Sequence, residues 1–222
     1  MTAPRVDLFA VIHKMLRVSI FDTAALIAQA DFANPAERAH VLDKFDETFA
    51  FLSEHHQHED DHVMAVVMEV APQVAEQLEA DHGDLDRALA ELQSLAASLR
   101  QADAAAAMTL GGELHLAFSV FIGDYLKHMA KEEVDVNAAL WEHLSDDALV
   151  AVRAKLQGAI PPARFAEWFA YMVPAMNIHE RIGVLTGIKL NAPPAAFEAL
   201  GGVARSALGE AGWKQVESAL PA

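Results

Sequence analysis

Apolar residues recur every three to four positions along most of the chain, and the recurrence is interrupted at prolines. The first such pattern runs from about Val6 to Ala30. It stops at Asp31-Phe32-Ala33-Asn34-Pro35, a sequence that ends one helix and starts the next. The second runs from about Pro35 to Val70, and Pro72 marks its end. The third runs from about Pro72 to Leu99. The fourth begins between Asp103 and Glu113, with Gly111-Gly112 leaving the start open, and continues to about Leu144. A period near 3.6 over such lengths predicts amphipathic helices. Short links between long helices predict antiparallel neighbours. The expected fold is therefore all-α: an up-down-up-down four-helix bundle over residues 1–145, followed over residues 146–222 by an extension of short helices. Pro161-Pro162, Pro174 and Pro193-Pro194 divide that extension. Its Phe165, Trp168, Phe169, Tyr171 and Met172 are expected to pack on the bundle or on a second subunit, which admits a homodimer.

Helical phase then separates inward from outward side chains. Stepping about 100° per residue from His55, the apolar positions Phe45, Phe49, Leu52, Val63 and Val67 fill one arc of the second helix. Glu59 and His56 lie inside that arc and His55 lies on its edge. His58 and Asp60 fall outside or at the margin, and His62 is ambiguous, a candidate for orienting a ligand through a hydrogen bond. From His128 in the fourth helix, Leu114, Phe118, Phe121, Tyr125, Val136 and Leu140 fill the same arc, with Glu132 and Met129 inside it. The two helices match position for position, with His55 against His128, Glu59 against Glu132 and His56 against Met129. In each, a histidine precedes a glutamate by four residues, so both side chains sit on one face, one turn apart.

Depth along the bundle adds His13 and His82. With a rise of 1.5 Å per residue and turns near residues 32, 71 and 102, each histidine lies within about 10 Å of the level of the next. All four helices can then present a ligand at one height. His40, His115, His143 and His179 are expected at the surface.

Composition narrows the chemistry. The chain has no cysteine among its 222 residues, which excludes disulfides, thiolate catalysis and iron–sulfur ligation. Any metal must take nitrogen and oxygen donors, the set that suits iron, zinc or manganese. The formal net charge of −16 disfavours nucleic acid, whose phosphates need a basic surface. The N-terminus lacks a charged region followed by an apolar run, and no apolar run approaches the length of a bilayer span, so no membrane partner and a cytoplasmic location are expected.

The pieces Ile12-His13-Lys14, His55-His56-x-x-Glu59-Asp60, His82 and His128-Met129-x-x-Glu132-Glu133 resemble the haemerythrin-like, or HHE cation-binding, family across about residues 10–140. The resemblance implies a non-haem diiron centre, two iron ions with an oxo or hydroxo bridge. It implies the metal ligands His13, His55, His56, Glu59, His82, His128 and Glu132, with Asp60 and His62 left open as replacements for one of them. Dioxygen carriers of this kind usually have a pair of histidines four residues apart on the third helix. Here His82 stands between Leu78 and Asp86, and His56 is expected to supply the missing donor. If Glu59 and Glu132 both bridge, one metal has three histidines and the other two, which leaves one open position. The expected activity is binding or sensing of dioxygen, peroxide or nitric oxide. The alternatives are a diiron peroxidase or oxidase and a role in iron homeostasis.

Overall fold

The computed structural model describes residues 5–221, and these are helical almost throughout. The long elements are α1 (Ala10–Gln29), α2 (Pro35–Glu59), α4 (Pro72–Gln101) and α5 (Ala104–Lys131). Short α3 (Ala65–Val70) and α6 (Asn137–His143) follow α2 and α5, each after a π turn: Asp60–Met64 in the first case, Glu132–Val136 in the second. Four further helices complete the chain: α7 (Asp146–Ala159), α8 (Pro162–Ala175), α9 (Ile178–Asn191) and α10 (Pro194–Glu217). It divides into two compact units. One comprises residues up to Leu8 together with Leu16–Arg153, and the other comprises Phe9–Met15 with Ala154 onwards.

Local chemistry explains where the first unit's helices begin. Asn34 caps α2, its side chain accepting from the amide of Ala36, and Pro35 opens the helix where its missing N–H costs nothing. Asp103 caps α5 in the same way, accepting from Ala106. The helix α5 starts at Ala104 and continues through Gly111-Gly112 without a break. A Cβ at Gly111 would stand 2.2 Å from a ring carbon of Phe32, so this glycine makes room for a buried ring. The first helix starts at Ala10 rather than near Val6. Val6 is tied down instead: its amide donates to Asp146 and its carbonyl accepts from the indole of Trp141.

Long-range contacts set the directions of these helices. Thr23 and Thr48 share a buried hydroxyl pair at 2.8 Å between α1 and α2. Arg100 reaches Asp46 and the carbonyl of Leu42, while His82 meets Asp60, so α2 and α4 run antiparallel. The helices α4 and α5 are joined only by Ala102-Asp103 and lie side by side as far as Lys131 and Asp81. Between α2 and α5 stands a column of rings. Phe45 stacks on Phe49 at 4.1 Å between centroids, Phe118 and Phe121 pack against them, and Tyr125 lies 5.4 Å beyond Phe121. The next ring in the column is His128, 6.0 Å from Tyr125. The apolar core thus ends directly beneath a histidine.

By length and composition, the continuous helical run Ala104–His143 is apolar enough over 18 residues to cross a membrane. Its inward face carries Leu114, Phe118, Phe121 and Tyr125, the pattern of a helix at the edge of a core.

The second unit has a core of its own, made of Phe169, Val173, Met176, Leu185, Ala204, Trp213 and Val216, with Phe165 and Met172 packed against it. Asn177 and Glu180 form a capping box at the start of α9, and His179 between them is exposed. Gly209 takes a φ of +68° inside α10, a left-handed conformation that glycine adopts without strain, and the helix kinks there.

Candidate metal centre

Glu59, His82, His128 and Glu132 come together on three helices. Each offers one donor atom such that all four lie within 4.8 Å of one another, and all four side chains are buried. Nε2 of His128 is 3.2 Å from Oε1 of Glu132, the next turn of the same helix. Nε2 of His55 is likewise 3.2 Å from Oε1 of Glu59, and His55 is buried too. The equivalence of the two His-x-x-x-Glu pairs, expected from helical phase, therefore appears as equal distances. His82 approaches from α4 with its ring 4.7 Å from that of His128.

Both glutamates stand at the same structural landmark. Glu59 is the last residue of α2 before the first π turn, and Glu132 is the first residue of the second. A π turn widens the helix by one residue, and such turns cluster at functional sites. Two ion pairs flank Glu132. Arg17 holds Glu133 through two contacts of 2.6 and 3.1 Å, and Lys131 holds Asp81 at 2.5 Å.

His56 lies beside this group. Nε2 is 3.2 Å from Oδ2 of Asp60 and Nδ1 is 3.1 Å from Oδ1 of Asp86, with the ring 4.0 Å from that of His82. The structure thus gathers His56, Asp60 and His82 into a second cluster that shares His82 with the first. Burial and the neighbouring His82 lower the pKa of His56, against the pull of Asp60 and Asp86. For His82, burial also acts to lower the pKa, but the carboxylates of Glu132, Glu59 and Asp60 outweigh it and the net shift is upward. Burial, then the charges of Glu59 and Glu132, push the Tyr125 phenol well above its ordinary range, so it keeps its proton.

His13 is fully buried on the first turn of α1, its ring 5.5 Å from that of Phe9. It belongs to the stretch Phe9–Met15, which groups with the second unit. His62 lies within the first π turn, half-buried, and its ring stacks on that of His58 at 6.4 Å. His40, His115 and His143 are exposed. Sequence reasoning assigned no role to Asp86 or Asp81. Both lie on α4 and meet their histidines only through tertiary packing, and the run Asp81-His82-x-Asp84-x-Asp86 was the available signal.

The donor set fits a cation on this structure's own terms. Nε2 of His82 is buried with no hydrogen-bond partner among the described residues, and it lies 4.0 Å from Oε1 of Glu132, beyond hydrogen-bond reach. Two donors each about 2.1 Å from one ion stand roughly 3–4 Å apart, so this gap suits a shared metal. A cleft of about 520 Å³ between α4 and α5 reaches the group, with Leu85, Phe121 and His128 on its wall and Lys127, Lys131 and Asp81 around it.

A family model, the Hemerythrin HHE cation binding domain, matches residues 5–140. The chain belongs to this family. The searches of curated proteins and of solved structures each gave no match. The matched span holds every one of the seven ligand candidates, so the haemerythrin-like bundle and the buried His/Glu cluster describe a metal-binding protein.

Proposed function

We propose that this chain is a non-haem diiron protein that binds or senses dioxygen, peroxide or nitric oxide. The observation that carries the reading is the meeting of Glu59, His82, His128 and Glu132 within 4.8 Å, all buried. His55, His82 and His128, with His56 beside them, would hold the irons, and Glu59 and Glu132 would serve both. His13, the remaining candidate, begins a buried stripe along its own helix, followed by Leu16, Ile20, Thr23 and Ile27 at alternating steps of three and four.

Iron, when bound, supplies a Lewis acid that changes oxidation state. The chain supplies the rest. Tyr125 packs its ring 6.0 Å from that of His128, and Phe121 and Met129 add buried apolar surface on the same helix. Tyr125 holds its proton, so its hydroxyl can donate. The α4–α5 cleft gives a small molecule a route to His128.

Loading with ferrous iron without air, followed by metal analysis and absorption spectra, tests the reading. Two irons per chain and a new band with azide or nitric oxide are expected. Two irons with no response to azide, nitric oxide or peroxide would overturn the ligand-binding part and leave iron handling. The cleft beside His128 favours one alternative, a diiron peroxidase or oxidase. Steady consumption of peroxide with a reducing dye would identify it.

A further inference from the structure

Asp60 is the residue that the proposed ligand set leaves out and that the geometry nevertheless ties to it. It follows the bridging candidate Glu59 and opens the first π turn. Its side chain is 47% exposed, unlike the buried donors around it. The two carboxylate oxygens do different things. Oδ1 lies 3.0 Å from Nδ1 of His82, on α4, and Oδ2 lies 3.2 Å from Nε2 of His56, on α2. One carboxylate therefore spans two histidines whose rings are 4.0 Å apart.

The consequence for His82 is specific. A neutral imidazole carries one N–H, and an ionised carboxylate only accepts. Facing Asp60, Nδ1 of His82 must hold that N–H. The lone pair is then left on Nε2, the buried nitrogen that has no hydrogen-bond partner among the described residues and points toward Glu132. A carboxylate behind a histidine fixes both its tautomer and its ring orientation, and losing such a partner usually weakens metal binding about 10- to 100-fold.

We propose that Asp60 is a positioning residue: it sets the tautomer and angle of His82 and holds His56 beside it, and it is not itself a metal ligand. This rests on the reading of His82 as a ligand.

The test uses the full chain with Asp60→Ala and Asp60→Asn, and Glu59→Ala as the comparison. Metal affinity is measured by chelator competition and stoichiometry at saturating iron. Nitrogen NMR of the metal-free protein reports the His82 tautomer. With Asp60→Ala, two metals should still bind at saturation, one of them about 10- to 100-fold more weakly, and His82 should lose its Nδ1–H form. Asp60→Asn keeps an accepting oxygen and should fall between Asp60→Ala and the parent. A metal missing at saturation in Asp60→Ala would make Asp60 a ligand and overturn the proposal. An unchanged tautomer and affinity would overturn it as well. A parent chain that takes up no metal would instead sink the diiron reading. The tautomer measurement would still decide whether Asp60 holds His82.

Discussion

Nε2 of His82 and Oε1 of Glu132 face each other across 4.0 Å, too far to bond and close enough to share an ion. The pair joins α4 to the second π turn, so a cation between them would link parts of the chain 50 residues apart in sequence. Both groups are buried, and a cation between them would offset part of the cost of their desolvation.

Glu59 and Glu132 should therefore matter more than any one histidine. Glu59→Ala or Glu132→Ala should lose both metals together, as read by metal analysis after identical iron loading. Full metal content in either variant would remove that residue from the bridging position.

Metal removal should destabilise the fold. A ligand that binds only the native state adds about 2.7 kcal/mol when its free concentration is about 100 times Kd. For a chain of this size that corresponds to about 5–10 °C in Tm. Scanning calorimetry before and after chelation, with metal content verified, measures it. An unchanged Tm would mean that the cluster is not coupled to folding through a metal.

The asymmetry between His56 and Met129 has its own test. Met129 is fully buried at the position in α5 that matches His56 in α2. Met129→His should add a donor and suppress azide binding in an absorption titration, while His56→Met should open a second position. Azide binding that ignores both changes would place the open site elsewhere.

Gly111→Ala should destabilise the first unit by about 1–3 kcal/mol, because the new methyl group has to displace the buried ring of Phe32. Urea denaturation is the measurement. Gly112→Ala is the internal comparison, since a Cβ there meets nothing within 4 Å.

Asp146 gives a pH prediction with a definite sign. Its hydrogen bond from Arg5, then the amide of Val6, hold its pKa below the ordinary carboxylate value. A depressed pKa contributes stability above the ordinary value and loses it as pH falls through the folded one. Asp146→Asn should therefore lower Tm at neutral pH. The difference from the parent should shrink as the solution is acidified through and below the ordinary carboxylate range. A difference independent of pH would show that the charge of Asp146 is not involved.

The helical fold and the inward side of the site could be read from the sequence because both depend on local spacing. Periodicity and the prolines at 35 and 72 mark out the long helices, and phase alone turns His55, Glu59, His128 and Glu132 inward. What stayed hidden depends on contacts between distant residues. Nothing in Gly111-Gly112 says that Phe32 will lie on it. The partnership of Asp60 with His82 exists only once α2 and α4 pack. Phase arithmetic put Asp60 at the margin of the buried arc and stopped there. The π turns carry no glycine or proline, so a 3.6-residue rule runs straight across them.

Those two turns also affect how the helices open. At each, the regular run of backbone hydrogen bonds is interrupted within one residue of a glutamate of the cluster. The segments before and after can then breathe separately. Amides at Asp60–Met64 and Glu132–Val136 should exchange with solvent sooner than those in the middle of α2 and α5. A carboxylate at such a seam can shift to meet a changing charge while Phe45, Phe49 and Phe118 stay packed. Rigidity then belongs to the aromatic column, and adaptability to the turn beside each glutamate.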